Sequence, residues 1–289
     1  MEAWNPTLSR DGKNLAFIGL RAGKWELWEK SLADGREAPL VVARDDVLVC
    51  PQWSPDGTRV AYLRFDPKQS QLFTWSDESR TAEPVTSGSS TTVWVPYDWS
   101  PDGNWLLVTH VNHNQARQQG GSEPAALWML PLAAAPQAEA KARKVTSDPA
   151  YAIYQGHFSP DGRWIVFEGQ KNGAGDTDHA LYVVPASGGP RTRVTERQYL
   201  DDKPRWSPDG KTIYFVSGRL GFFNVWGIRF DPVKGQPVGK PFRVTTFDSP
   251  SLRVPEADVA VELSLTQDRF VLNLKEVSGS IWRLDNVDR

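Results

Sequence analysis

A chain of 289 residues with 39% hydrophobic and 24% charged residues has enough apolar content for a sizeable core, which excludes a disordered polymer. Lys and Arg number 33 against 35 Asp and Glu, a net charge of −2, so no overall positive field exists to gather a phosphate backbone and nucleic-acid binding is disfavoured. The single cysteine, Cys50, excludes an intrachain disulfide, and no run of about 18 apolar residues marks a membrane span.

The first residues, Met1 to Pro6, have neither a basic region nor an apolar stretch, so the sequence as it stands reads as soluble and without an export signal. A turn then begins to recur. It appears as Leu8-Ser9-Arg10-Asp11-Gly12, Trp53-Ser54-Pro55-Asp56-Gly57 and Trp99-Ser100-Pro101-Asp102-Gly103. It returns as Phe158-Ser159-Pro160-Asp161-Gly162 and Trp206-Ser207-Pro208-Asp209-Gly210, and once more, degraded, as Leu263-Ser264-Leu265-Thr266-Gln267. Each copy leads into a short β-rich run, such as Leu15-Ala16-Phe17-Ile18 or Ile213-Tyr214-Phe215-Val216. An Asp-Gly turn between two such runs predicts a hairpin.

Two further signatures follow each turn. An aliphatic–aromatic pair is expected to close a third strand: Leu27-Trp28, Leu72-Phe73, Leu127-Trp128, Leu181-Tyr182, Val225-Trp226 and Ile281-Trp282. Val85-Thr86, Val145-Thr146, Val194-Thr195 and Val244-Thr245, with Leu40-Val41-Val42 in the first repeat, predict a fourth strand. The fold expected is therefore all-β, a six-bladed β-propeller of four-stranded antiparallel sheets. Its blades run approximately over 4–44, 45–88, 89–148, 149–198, 199–248 and 249–289. No Val-Thr strand follows Trp282, so the last blade is expected to have three strands or to be patched by the N-terminus.

The W-S-P-D-G turn, the aromatic strand after it, the aliphatic–aromatic pair and the Val-Thr strand resemble the repeats of TolB-type propellers over essentially the whole chain. The stretch from Asp201 through Phe247 is also similar to propellers attached to bacterial membrane-anchored kinases and regulators. The resemblance implies a partner protein or peptide bound in the central funnel, a periplasmic setting, and no cofactor.

Antiparallel strands alternate their loops between two ends. The near-identical Ser-x-Asp-Gly turns share one end. The long, dissimilar loops share the other, where binding residues are expected on a rigid scaffold. That variable end is expected to hold all four histidines, His110, His113, His157 and His179. A ligand is expected there, at a mouth lined by Asp46, Trp94, Tyr97, Tyr154, His157, Asp202 and Arg205. The turn aspartates read as structural, through bonds to nearby amides.

Other readings stand beside this one. The histidines with Asp176 or Asp178 suggest a metal-dependent lyase or hydrolase, since imidazole and carboxylate suit zinc or manganese. Gly173 to Asp178 offers oxygen ligands for calcium, without the full spacing of a calcium loop. Asp45-Asp46, Asp201-Asp202, Glu256 and Asp258 suggest an acidic mouth for a cation or basic peptide, with Lys203 and Arg205 offsetting it. A third alternative is an extracytoplasmic sensor domain of a larger kinase or regulator. Gly235 to Lys240 has the wrong spacing for a phosphate loop, and no G-x-S-x-G elbow occurs.

Overall fold

Five copies of the Ser-x-Asp-Gly turn are built alike in the computed structural model, which describes residues 3–66, 68–112, 124–172, 178–255 and 262–276. In the fifth copy the Ser207 hydroxyl donates to Asp209 Oδ1 at 2.6 Å and accepts the Thr212 amide at 2.9 Å. The same aspartate oxygen accepts the Lys211 amide at 3.0 Å. The turn glycines sit at φ between 68° and 72°, a left-handed conformation that a Cβ disfavours. The serine hydroxyl, with the amide two residues on, holds Asp11 and Asp209 below the usual carboxylate range. These aspartates are turn-builders, as expected.

Each turn joins the first two strands of a four-stranded antiparallel sheet. The first sheet is β1 (Ala3–Leu8), β2 (Asn14–Arg21), β3 (Lys24–Ser31) and β4 (Glu37–Val42). The second is β5 (Val47–Trp53), β6 (Arg59–Phe65), β7 (Gln71–Ser76) and β8 (Thr81–Pro84). The third is β9 (Thr92–Trp99), β10 (Trp105–Asn112), β11 (Ala126–Pro131) and β12 (Arg143–Thr146). The fourth is β13 (Tyr151–Phe158), β14 (Trp164–Lys171), β15 (His179–Pro185) and β16 (Thr192–Arg193). The fifth is β17 (Asp201–Trp206), β18 (Thr212–Leu220), β19 (Phe222–Asp231) and β20 (Gln236–Arg243). Two two-stranded sheets follow, β21 (Leu252–Arg253) with β24 (Lys275–Glu276) and β22 (Leu263–Leu265) with β23 (Phe270–Leu272). Among the described residues the helices are two short 3-10 segments, Leu132–Ala134 and Ala138–Lys141, and no helix is long and apolar enough to cross a membrane.

The aliphatic–aromatic pair lies within the third strand and does not end it; Leu27-Trp28, for example, falls in the middle of β3. Its aliphatic member is the sheet's inner anchor. Leu27, Leu72, Leu127, Leu181 and Val225 are all fully buried. The Val-Thr pair clasps that anchor. The Val194 amide donates to Leu181 O at 2.7 Å, and the Leu181 amide donates to Thr195 Oγ1 at 3.0 Å. The same two bonds join Val85-Thr86 to Leu72 and Val244-Thr245 to Val225. In these three sheets the Val-Thr pair stands just past the outer strand, where its threonine replaces the next ladder bond. The sixth expected pair, Ile281-Trp282, lies outside the described residues.

The core sits between sheets. Ala61, Leu72 and Val85 of the second sheet pack on Trp99, Leu106 and Val108 of the third. Burial of each large side chain stabilises the fold by about 1.5–3 kcal/mol. Two of the three turn-signature tryptophans also bond across: Trp99 Nε1 donates to Gln52 O at 2.9 Å and Trp206 Nε1 to His157 O at 3.0 Å.

The inner strands pack in the order β1, β5, β9, β13, β17, β22 and back to β1. At the seam the Leu8 amide donates to Ser264 Oγ at 3.0 Å, and Asn273 Nδ2 donates to Ala3 O at 3.0 Å. Residues 3–8 are thus the inner strand of the first sheet. They do not patch the outside of the last one, because the turn at Ser9 commits them to pairing with β2.

Candidate functional site

The inner strands share an irregularity that shapes the channel they surround. The ladder slips by one residue between Trp4 and Thr7, Val49 and Gln52, Tyr154 and His157, and Asp202 and Arg205. A matching slip in β9 falls opposite Leu107/Val108. At four of these bulges a non-glycine residue adopts φ near 50°: Asn5, Cys50, Gln155 and Lys203. Left-handed backbone costs such residues about 1–2 kcal/mol each. Its recurrence at one position marks a designed feature, and bulges re-aim side chains.

Two residues before each turn serine, at or beside the end of each inner strand, stand Thr7, Gln52, Asp98, His157, Arg205 and Glu262; Thr7, Gln52, His157 and Arg205 also lie two residues beyond a left-handed position. All six are polar and no two are alike. They line a cavity of about 360 Å³ that opens among the Ser-x-Asp-Gly turns. Glu262 accepts from Arg205 and, through Oε1, from Gln155 Nε2 at 3.4 Å. Asp98 accepts the Trp99 and Phe158 amides, each at 2.8 Å. His157 Nδ1 lies 3.7 Å from Asp98 Oδ2, while its Nε2 is buried without a hydrogen-bond partner. Burial, reinforced by Arg205, pushes the imidazole below its ordinary value against the pull of Asp98, so His157 is neutral near pH 7.

Deeper in the channel, burial pushes the Cys50 thiol up to about 12, which makes it an inert small polar group. Tyr97 is buried, with its ring 6.4 Å from that of His157, and burial raises its phenol well above the ordinary value.

Towards the variable end the charged groups pair with one another. His179 Nδ1 lies 2.6 Å from Glu168 Oε1, and Lys203 Nζ lies 3.3 Å from Asp202 Oδ2. Burial, with the neighbouring Asp202 charge, raises Glu168 to about 7. Burial opposes the charge of Lys203 too, but Asp202, Glu262 and Glu168 outweigh it and hold the ammonium above its ordinary value. Tyr154 is half-buried, and burial raises its phenol as well.

Of the seven residues expected at one mouth, the structure strings Tyr97, Tyr154, His157, Asp202 and Arg205 along the channel and sets two apart. Asp46 forms an ion pair with Arg64 of its own sheet at 2.7 Å. Trp94 is not a loop platform. It stands in β9 opposite His110, with ring centroids 4.2 Å apart, at the register position that Leu48 and Ile153 hold in their own strands. His157 and Arg205 belong to the turn end, because Tyr151–Phe158 and Asp201–Trp206 are strands that run from the variable end towards the turns.

The histidines do not converge: His110 stacks on Trp94, His157 lines the cavity and His179 pairs with Glu168. His113, Asp176, Glu256 and Asp258 lie outside the described residues. Thr7, Gln52, Asp98 and Glu262 escaped the sequence reading. Their signal was available as the residue before the aromatic or apolar member of each turn, which changes chemistry from repeat to repeat while its neighbours stay constant.

No family model matches the chain. An uncharacterized protein of Agrobacterium fabrum, Atu1656, is 27% identical over 236 residues, 81% of this chain and 72% of that protein. The Tol-Pal system protein TolB of Anaeromyxobacter dehalogenans is 28% identical over 139 residues, 48% of this chain and 28% of its own length. Among solved structures, TolB from Acinetobacter baumannii superimposes with a TM-score of 0.62 at 16% identity, covering 79% of this chain and 52% of TolB. Two enzymes share the fold as closely. A puromycin hydrolase has a TM-score of 0.61 at 17% identity over 88% of this chain and 40% of its own. An oligogalacturonate lyase in complex with manganese has a TM-score of 0.61 at 16% identity over 91% of this chain and 67% of its own. The repeats, the four-stranded sheets and these likenesses together make the chain a TolB-like β-propeller.

Proposed function

We propose that the chain is a six-bladed, non-catalytic binding module that takes a protein or peptide partner at the turn-end cavity. The observation that carries this reading is the ring of six different polar side chains, Thr7, Gln52, Asp98, His157, Arg205 and Glu262, at one repeated strand position around a cavity of about 360 Å³. A structural position in a repeat keeps its residue. A recognition position varies from copy to copy, because each strand contributes a different contact to one ligand. The size suits a ligand site, and rigid strands position its lining better than loops do. His157 and Arg205 of the expected set belong to this cavity, with Asp98, Gln52, Thr7 and Glu262 added. The part in six blades rests on the closed order of six inner strands and the seam bonds at Ser264 and Asn273.

The Tol-Pal name of the TolB relatives supports a partner-binding role; the solved puromycin hydrolase and lyase structures share the fold alone. A relative named as an uncharacterized peptidase, YuxL of Bacillus subtilis, is 27% identical over 172 residues, 59% of this chain and 17% of its own length, and supports the catalytic alternative. A random peptide library displayed against the immobilised full chain tests the proposal. Selection is expected to converge on sequences with dissociation constants in the micromolar range that no added metal changes. Failure to enrich any peptide, with turnover of peptide or oligogalacturonide substrates by the same preparation, would replace binding with catalysis.

A further inference from the structure

The charges of the turn-end cavity are unevenly matched. Arg205 is neutralised by Glu262. Asp98 has no lysine or arginine ion-pair partner among the described residues; its contact is with the His157 Nδ1 edge at 3.7 Å. Both Asp98 oxygens are pinned by backbone amides, Oδ1 by Trp99 of its own sheet and Oδ2 by Phe158 of the next. A carboxylate oxygen has two lone-pair sites, so Oδ1 retains one, while the second site of Oδ2 faces His157 Nδ1. The carboxylate is held rigid and still able to accept.

His157 completes the arrangement. Its Nδ1 faces a carboxylate that only accepts, so Nδ1 carries the proton of the neutral ring and Nε2 carries the lone pair. That Nε2 is buried and unpartnered on a side chain only 6% exposed. Two acceptors, one anionic and one neutral, therefore stand on the adjacent strands β9 and β13 at the wall of one cavity. A carboxylate or phosphate would repel Asp98, and an apolar group would leave Nε2 unsatisfied. A group with positive charge and several N–H donors satisfies both. The cation Arg10 lines the rim on the first sheet, separated from Asp98 by the second.

We propose that the turn-end cavity recognises the cationic side chain of a lysine or arginine in a partner peptide, with Asp98 supplying the counter-charge and His157 Nε2 accepting one N–H. This rests on the cavity being the ligand site, and it adds the chemical class of what enters. The test uses three capped tripeptides titrated calorimetrically into the full chain: Gly-Lys-Gly, the same peptide with its lysine Nε-acetylated, and Gly-Glu-Gly. The lysine peptide is expected to bind. Acetylation and Asp98→Asn should each weaken it roughly ten- to hundredfold, and His157→Phe should weaken it less. Asp98→Asn keeps an oxygen for one backbone amide and turns its NH2 against the other, so its unfolding midpoint should fall by the loss of one hydrogen bond, and affinities are compared at a temperature where both proteins are folded. Trp94→Phe should leave binding unchanged.

Equal or tighter binding of the acetylated or glutamate peptide, lost in Gln52→Ala or Arg205→Met, would overturn the cation assignment and leave the cavity as the ligand site. Binding of the lysine peptide that ignores Asp98→Asn would place the amine elsewhere and overturn the assignment too. No binding of any of the three at millimolar concentration would overturn both it and the cavity as a peptide site.

Discussion

The two ends of the channel are made of the same kinds of residue and put them to opposite uses. At the variable end His179, Glu168, Asp202 and Lys203 are buried and spent on one another. At the turn end Asp98 and His157 line a cavity, and Asp98 is fixed from behind by backbone amides with no lysine or arginine ion-pair partner among the described residues. The difference separates polar groups that close a fold from polar groups that await a ligand. It lies in the charge pairing of each group and in the cavity beside it rather than in burial or residue type, since His157 and His179 are equally buried.

The sharpest break of that comparison removes Lys203. Lys203→Met leaves Asp202 as a buried charge without its cation, and an uncompensated buried charge typically costs about 3–5 kcal/mol. Denaturant titration should show this loss. A variant as stable as the parent would mean that the variable-end cluster is solvated and no different from the turn end. Trp206→Ala should cost a similar amount, about 3–5 kcal/mol, because Trp206 is buried, lies edge-on to Phe230 at 4.9 Å and bonds the neighbouring sheet. Half-buried Trp94 should cost less when cut to alanine, about 2 kcal/mol.

Protonation separates the ends next. Glu168 titrates at about 7 in the fold against an ordinary value of 4.5, so the native state holds this proton more tightly than the unfolded chain does. Its contribution to stability is greatest below pH 4.5 and falls as pH rises to about 7. Glu168→Gln should remove that descending slope from a plot of unfolding free energy against pH. A parent chain whose stability rises steadily over the same window, with no difference in the variant, would contradict the assignment. The smallest effect is expected at the turns. Asp209→Ala removes bonds to Ser207 and Lys211 at an exposed site and should lower stability by about 1 kcal/mol without changing ligand affinity.

The architecture was largely legible because it is written six times. The turn needs serine, aspartate and a left-handed glycine, and the inner anchor needs Leu or Val beside an aromatic, so packing imposes its own period on the sequence. The site was less legible for the same reason. Its residues occupy a repeated position whose content is free to vary, and a search for likeness passes over them. Asp46 and Trp94 drew attention as distinctive residues near the variable loops. Their engagement with Arg64 and His110 depends on strand register, which spacing from the turns alone did not supply. The bulge that slips five of the six inner strands re-aims the side chains after it, His157 and Arg205 among them, and a one-residue slip of this kind leaves no mark beyond the Pro or Gly that follows Asn5, Cys50, Gln155 and Lys203.

The most direct test of which end receives the ligand compares matched variants against one selected peptide. Affinities for the strongest binder from peptide display should be measured for Asp98→Asn and His157→Phe at the turn end, and for Asp46→Asn and Trp94→Phe at the other. The first two should lose binding while remaining folded, and the last two should keep the parent affinity. Loss confined to Asp46→Asn and Trp94→Phe, with Asp98→Asn and His157→Phe unaffected, would contradict a turn-end site.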